Sequence, residues 1–378
     1  MSYNRQEIQK EALDVAISNL RCTLAVSMGV GKTYIALQHM DKIFTPSSKF
    51  LVAVPKRSII GSWRDEMEKF DLLHLLPAIT FTTYLSLKKQ ETGCWDCIYL
   101  DECHSLLYVH EFFLLSHAGR ILGLTGTPPK NARSEKGAMV NRFCPVLYKF
   151  GVDEATSSGI LNDYKIVVHL LRLNRSRILK VPKKSGGFWM SSEQSQYDFW
   201  TDKVNQAKTR FELKTASVLR MKAMQDFPSK EDYVKRILTK IDNKCIVFAN
   251  TKAQADRICK HSYYSGNPDS EDNLEKFRTG SVTHLSSVLQ LNEGVSIPNL
   301  RVGVIMHAYG NNRKSAQRIG RLLRLNPSET ATCHILCYLN TIDRTWINEA
   351  LSEFDKSKVY SYDPLTNKVQ PFYEHSNV

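Results

Sequence analysis

The chain reads as short apolar runs separated by longer stretches in which apolar residues recur every three or four positions. In the first half the runs are Thr23–Val26, Phe50–Val54, Ile79–Thr82, Cys97–Leu100 and Ile121–Leu124, each of strand length. Helical spacing occupies Tyr34–Phe44, Ser58–Phe70 and the segment after Thr83. Strands that alternate with helices predict a parallel sheet covered by helices on both faces. The alternation resumes with Lys244–Phe248, Val282–Val288, Val302–His307 and Thr332–Tyr338. Its helices are predicted over Lys252–His261, Asp272–Phe277, Ser315–Leu323 and Asp343–Phe354. A chain of 378 residues exceeds what one core organises, so the pattern predicts two α/β units. Their expected bounds are 1–150 and 244–355, with a connector over 151–243 and a loosely held tail over 356–378.

The connector differs in character from both units. Residues 165–192 hold seven Lys or Arg and no acidic residue. Ile178–Val181 and Phe188–Met190 are short apolar runs on either side of Ser185-Gly186-Gly187, and the two glycines can take the positive φ angles of a tight hairpin. Basic flanks suit phosphate, while Phe188 and Trp189 near the tip could stack on bases or wedge between them. The alternative is a solvated loop whose aromatics fold back onto the second unit. Ser191 and Ser192 can cap a helix running to about Met224, and Ser229 with Asp232 forms a capping box for another running to Ile241.

Candidate chemistry concentrates in the first unit. Ser27-Met28-Gly29-Val30-Gly31-Lys32-Thr33 joins an apolar run to a helical pattern, the strand, turn and helix of a phosphate-binding loop. Gly29 and Gly31 supply the flexible points, and Val26 stands where such loops usually have their first glycine. Lys32 would reach the β- and γ-phosphates of ATP, and the Thr33 hydroxyl would ligate Mg²⁺. Cys97–Leu100 leads into Asp101-Glu102, two carboxylates at the carboxyl end of a buried strand, where parallel sheets bind ligands. Asp101 would hold Mg²⁺ and Glu102 would polarise the attacking water.

Composition narrows the partners. A formal net charge of +13 suggests a polyanion. Nine cysteines, an odd number scattered through predicted elements, argue for a reducing compartment and against a disulfide framework. No apolar run approaches the roughly 20 residues of a membrane span, and the first residues lack a signal-peptide core, so a cytoplasmic protein without a membrane partner is expected. Cys94, Cys97, Cys103 and His104 have metal-like spacing, but Cys97 opens a strand and the last two belong to the acidic motif. A closed zinc site is therefore not expected. Trp200 and Trp346 read as packing residues.

The order of motifs resembles the superfamily 2 helicases and translocases, and the resemblance covers nearly the whole chain. Gln9 resembles the adenine-reading glutamine upstream of the phosphate loop. Val54-Pro55-Lys56 with Trp63 and Glu66 resembles the first strand-contact motif, Thr82-Thr83-Tyr84 the next, and Leu124-Thr125-Gly126-Thr127-Pro128 the motif that couples hydrolysis to strand movement. Ile246–Asn250, the stretch from Ser287 through Glu293–Pro298, and Gln317–Arg324 resemble the motifs of the second motor domain. The resemblance implies two tandem RecA-like domains, each a mostly parallel sheet with helices on both faces. It adds Gln317, Arg321 and Arg324 to Lys32, Asp101 and Glu102 as the catalytic set, the last two arginines acting as fingers. Arg321 and Arg324 lie three apart, so a helix would present both on one side. The resemblance places nucleic acid against Lys56, Arg57, Thr83, Tyr84, Asn250, Thr251 and Ser287.

Within the superfamily, the phosphate loop is similar to the Snf2 type. Gly294–Ile297 and Gln317–Arg324 are similar to the UvsW-like branch-migration helicases of large tailed phages. DEAD-box RNA helicases usually carry Asp at the place of Ser296, His at that of Gln317, and Asp-Glu-Ala-Asp where this chain has Asp-Glu-Cys-His. The resemblance thus implies an ATP- and Mg²⁺-dependent monomeric motor on branched, forked, single- or double-stranded DNA, acting in a host bacterial cytoplasm if phage-encoded. A duplex translocase that does not unwind, an RNA helicase, and a nucleic-acid clamp with a degenerate motor are the alternatives. The intact Lys32, Thr33, Asp101, Glu102, Arg321 and Arg324 favour a working motor over a clamp.

Overall fold

The computed structural model describes residues 5–27, 29–57, 59–183, 185–288, 297–307, 330–352 and 354–373. The chain divides into two compact units; the main stretch of the first ends at Asp163 and the second begins at Tyr164. The predicted helix Ser315–Leu323 lies outside the described residues.

The first unit is built on six strands: β1 (Arg21–Val26), β2 (Phe50–Val54), β3 (Ile79–Thr83), β4 (Cys97–Asp101), β5 (Arg120–Thr125) and β6 (Val146–Phe150). They pair in the order β3-β2-β4-β5-β1-β6, all parallel. Four of them are buried along their whole length or all but the first residue, which explains their unbroken apolar runs. Alternate residues feed the two faces. Leu51, Ala53, Ile98, Leu100 and Ile121 pack with Met139, Val140 and Phe143 of the helix Glu135–Phe143, which Ser134 caps by accepting the Gly137 N–H. On the opposite face Tyr99 meets the helix Lys32–Ile43, its hydroxyl 2.8 Å from His39 Nδ1. Since β4 and β5 lie between β1 and β2, chain direction switches beside β1, the place where open parallel sheets bind ligands.

The second unit holds β7 (Tyr164–Leu171), β8 (Leu179–Pro182), β9 (Phe188–Ser191), β10 (Cys245–Ala249), β11 (Ser262–Tyr263), β12 (His284–Val288), β13 (Val302–Ile305), β14 (Ala331–Tyr338), β15 (Val359–Asp363) and β16 (Lys368–Pro371). Its main sheet runs β11-β12-β10-β13-β14-β7-β15-β16, parallel except for the last pair. Val247, Ala249, Val304 and Leu336 pack on Met224, Phe227 and Val234 from the helices that precede β10. Each unit is therefore an α/β layer structure with a mostly parallel sheet, as the alternation of elements predicts.

Several sequence expectations give way to tertiary pairing. Residues 164–171 belong to no connector: β7 pairs with β14 along all eight residues and sits inside the sheet. Its charged Lys165 masked an alternation in which Tyr164, Ile166 and Val168 are buried. Residues 359–371, expected as tail, form the hairpin β15–β16 that extends the same sheet. The helix begun by Ser192 stops at Asn205, and a second runs from Arg210 to Gln225 under a capping box of Thr209 and Glu212. Ser229 makes no capping box. The helix Pro228–Leu238 opens on Pro228 instead, while the Ser229 N–H and hydroxyl donate to the buried Glu193 carboxylate at 2.9 and 2.8 Å.

One buried cluster gives the second unit a pH dependence. His169 Nδ1 lies 2.8 Å from the Tyr233 hydroxyl and its Nε2 lies 2.9 Å from His334 Nδ1. Burial, then the neighbouring His334, depresses His169 to about 3; burial, then Lys165, depresses His334 to about 4. The unfolded chain, with His near 6.5, binds protons that the folded unit refuses, so stability falls as pH drops below about 6.5 toward those values. Urea denaturation at pH 7.5 and pH 5 is expected to show the loss. The double substitution His169→Gln, His334→Gln should make it shallower, and an unchanged slope would assign the effect elsewhere.

Candidate nucleotide site

The phosphate loop follows from where β1 ends. Val26 is fully buried as the last residue of β1, and the Ser27 N–H donates to the Phe150 carbonyl of β6 at 2.9 Å. Beyond it the backbone must turn sharply, and Gly29 and Gly31 do so with φ of 91° and 104°, angles that glycine adopts without strain. Val30 between them is buried, and its carbonyl accepts from Gln9 Nε2 at 2.6 Å and from Arg5 Nε at 3.2 Å. A Cβ on Gly31 would come within 2.7 Å of Gln9 Nε2, the end of a flexible side chain that could yield, so the angle is what calls for glycine. Gln9 thus braces the loop itself. Lys32 opens the helix Lys32–Ile43, whose start has no side-chain cap, and its first N–H groups suit a phosphate.

The acidic pair stands at the end of β4. Asp101 is buried and Glu102 adopts a left-handed conformation, φ 52°. That turn is followed by Cys103–Ser105, which packs on β5 so that a Cβ on Gly123 would press on Cys103; it would also collide with the Thr23 hydroxyl of the paired strand β1. The Glu102 carboxylate is then held by two neighbours. The Thr125 hydroxyl at the end of β5 donates to Glu102 Oε2 at 3.1 Å, and His104 Nδ1 lies 3.2 Å from the same oxygen and 2.9 Å from Thr125 Oγ1. Thr125 Oγ1 in turn accepts the Thr127 N–H at 3.1 Å. Asp101 is fixed separately: Trp63 Nε1–H donates to its Oδ2 at 3.0 Å, and the Tyr84 hydroxyl donates to its backbone carbonyl at 2.8 Å. A hydroxyl in the first turn of the helix and a carboxylate at the end of β4 are hard oxygen donors of the kind Mg²⁺ takes, so Thr33 and Asp101 fit the ion. Bound there, Mg²⁺ would supply charge neutralisation on the phosphates.

The remaining expected positions divide. Lys56 and Arg57 are exposed after β2, and Thr83 is half-buried at the end of β3. Tyr84 is not on a strand-contact surface; it is buried, occupied with Asp101. Trp63 is fully buried for the same reason. In the second unit Thr251 caps the helix Lys252–Ile258 by accepting the Gln254 N–H, and the Asn250 N–H donates to Gln254 Oε1 at 3.0 Å. Ser287 is fully buried inside β12, so its side chain presents no surface to a partner. Gln317, Arg321 and Arg324 lie outside the described residues. Among the described residues no group of three or more His, Cys, Asp or Glu is gathered for a metal ion, and Cys103 is packed on Thr23.

The basic hairpin does form. β8 and β9 pair antiparallel with Val181 opposite Trp189 and Pro182 opposite Phe188. Gly186 and Gly187 turn with φ of 88° and 75°. Phe188 and Trp189 remain 52% and 44% exposed and do not fold back into the core, and Lys180 Nζ lies 4.9 Å from the centre of the Phe188 ring.

Comparison with known proteins places this geometry in a family. Residues 229–326 match the model of the helicase conserved C-terminal domain, and residues 2–74 match that of the type III restriction enzyme, res subunit. The chain is 25% identical over 363 residues to the DNA 3'-5' translocase XPB2 of Sulfurisphaera tokodaii, covering 88% of this chain and 81% of the relative. This chain is a superfamily 2 helicase or translocase. Solved structures agree on the fold of such motors. A fragment assigned to a type I restriction enzyme of Vibrio vulnificus YJ016 superposes with a TM-score of 0.60 at 16% identity, over 95% of this chain and 68% of that one. The type ISP restriction-modification enzyme LlaBIII, solved bound to DNA, gives 0.57 at 15% over 95% of this chain, which spans only 30% of the larger enzyme.

The motor's chemistry requires both a phosphate cation and a poised carboxylate. Lys32→Ala is expected to abolish ATP hydrolysis. Glu102→Gln should lower kcat by at least ~10²-fold while leaving nucleotide binding intact, because the amide cannot take the proton of the attacking water. Steady-state rates beside titration of a fluorescent ATP analogue check both; wild-type hydrolysis by Glu102→Gln would remove that residue from its role.

Proposed function

We propose that this motor is driven by Mg²⁺-ATP along DNA and that it remodels or unwinds branched and forked duplexes, as a branch-migration helicase of replication, recombination or repair does. The observation that carries the reading is the pairing of an intact phosphate loop and poised Glu102 in one unit with an exposed aromatic and basic hairpin in the other. The likeness of Gly294–Ile297 and Gln317–Arg324 to UvsW-like helicases and the net charge of +13 support it. In this reading Arg321 and Arg324 supply the cations that stabilise the transferring phosphoryl group, with Gln317 beside them. Lys56, Arg57, Thr83, Asn250 and Thr251 bind the phosphate backbone, a sequence-independent contact. The protein works as a monomer, since one chain carries both motor units, and in the reducing cytoplasm that its nine scattered cysteines suit. A duplex translocase that does not unwind is the second reading; the archaeal relative is named a DNA 3'-5' translocase.

The ATPase rate measured with single-stranded, duplex, forked and four-way-junction DNA, and with RNA as control, tests the choice. Forked or junction DNA should stimulate most. Strongest stimulation by plain duplex with no strand displacement would favour the translocase, and strongest stimulation by RNA would overturn DNA as the track.

The hairpin bears the second expectation. Phe188 and Trp189 stack on bases or wedge a junction apart, contacts worth roughly 1–3 kcal/mol per base in comparable sites. The substitutions Phe188→Ala and Trp189→Ala together should spare DNA-stimulated ATPase and the melting temperature while reducing unwinding or branch migration. Survival of all activities would remove the hairpin from strand handling.

A further inference from the structure

Asp101 is gripped by two aromatic side chains that come from the two segments read above as facing nucleic acid. Trp63 lies on the helix Ile59–Lys69, close after Lys56 and Arg57, and Tyr84 follows Thr83 at the end of β3. Both rings turn inward. Trp63 is fully buried, with its Nε1–H on Asp101 Oδ2 at 3.0 Å; Tyr84 is 6% exposed, with its hydroxyl on the Asp101 carbonyl oxygen at 2.8 Å. The chemistry of these donors matters. An indole N–H and a phenol O–H are neutral, so they orient the residue without cancelling the charge a metal ion needs, as a Lys or Arg partner would. The indole N–H is a donor only, which commits one carboxylate oxygen to the protein and restricts how the carboxylate can turn.

The mounting of the two rings is stiff. Trp63 packs edge-on against Phe81 of β3, with ring centres 6.3 Å apart. The Tyr84 carbonyl lies 3.0 Å from His110 Nε2, a buried imidazole whose proton affinity burial lowers. A small shift of the Ile59–Lys69 helix, or of the turn after β3, therefore moves Asp101 with it, because a packed core transmits displacement.

We propose that Trp63 and Tyr84 are positioning residues that set the orientation of Asp101 toward Mg²⁺ and relay to it the state of the two segments on which they sit. The relay rests on the reading of those segments as nucleic-acid contacts; the grip on Asp101 does not. The variants are Tyr84→Phe, which deletes one oxygen, and Trp63→Phe, which deletes the indole N–H with part of the ring. A fluorescent ATP analogue is titrated against each, first in EDTA and then over a range of Mg²⁺, and ATPase is measured with and without forked DNA. Both variants should bind the analogue in EDTA as wild type does. They should need ~10-fold more Mg²⁺ for half-maximal tightening, as loss of an outer-shell partner typically costs. DNA stimulation should fall by several fold at saturating Mg²⁺. Should Trp63→Phe melt early, Tyr84→Phe decides. An unchanged Mg²⁺ midpoint in Tyr84→Phe overturns the grip, and undiminished DNA stimulation overturns the relay. A wild-type protein that no nucleic acid stimulates overturns the motor reading and the relay with it, while the Mg²⁺ midpoint still judges the grip.

Discussion

The close approach of the Cys103 turn to β5 is the constraint on which the site depends. A side chain at position 123 would collide with the Thr23 hydroxyl of the paired strand and crowd Cys103, so glycine there leaves room for both. Glu102, just before that turn, holds a left-handed conformation, and its carboxylate accepts from the Thr125 hydroxyl at the end of β5. Thr125 is the first residue of Thr125-Gly126-Thr127, and its one hydroxyl serves both the Glu102 carboxylate and the Thr127 N–H. Anything that moves the segment after β5 must change the hydrogen bonding of Glu102.

The phosphate loop is organised with similar economy. Val30 anchors the loop in the core, and its carbonyl is claimed by Gln9 and Arg5 from the first helix. Gln9 is also the residue whose likeness points to adenine. Without Gln9 the Val30 carbonyl would be left to Arg5 alone. The helix Arg5–Ser18 thus restrains the loop through both side chains.

The second unit is locked by buried charge. Lys230, Asp343 and Glu193 are each buried almost completely. The Lys230 ammonium meets Asp343 Oδ2 at 2.5 Å and the Leu336 carbonyl at 3.0 Å, while Glu193 receives both groups of Ser229. Pairs of this kind add little net stability over an apolar core, but removing one partner leaves an uncompensated buried charge and costs roughly 3–5 kcal/mol. Here they tie the start of the helix Pro228–Leu238 to β14 and to the helix Ile342–Ala350, across 113 residues of chain.

The sequence alone determined the α/β class, the phosphate loop, the acidic pair and the basic hairpin. Each rests on local chemistry: glycines that permit a turn, a hydroxyl and a lysine at a helix start, carboxylates ending an apolar run, and Gly-Gly between two short strands. Tertiary structure decided what no local pattern encodes. β7 and β15–β16 read as connector and tail because edge and mixed-polarity strands gain their stability from a partner, and β7 finds its partner in β14, more than 150 residues away. Trp63 and Tyr84 sit in segments that resemble strand-contact motifs, yet which way a side chain faces depends on helix packing against the sheet, and packing turned both inward to Asp101. Ser287 likewise belongs to a motif by position, but the pleat of β12 directs it into the core, where a serine hydroxyl cannot meet a phosphate.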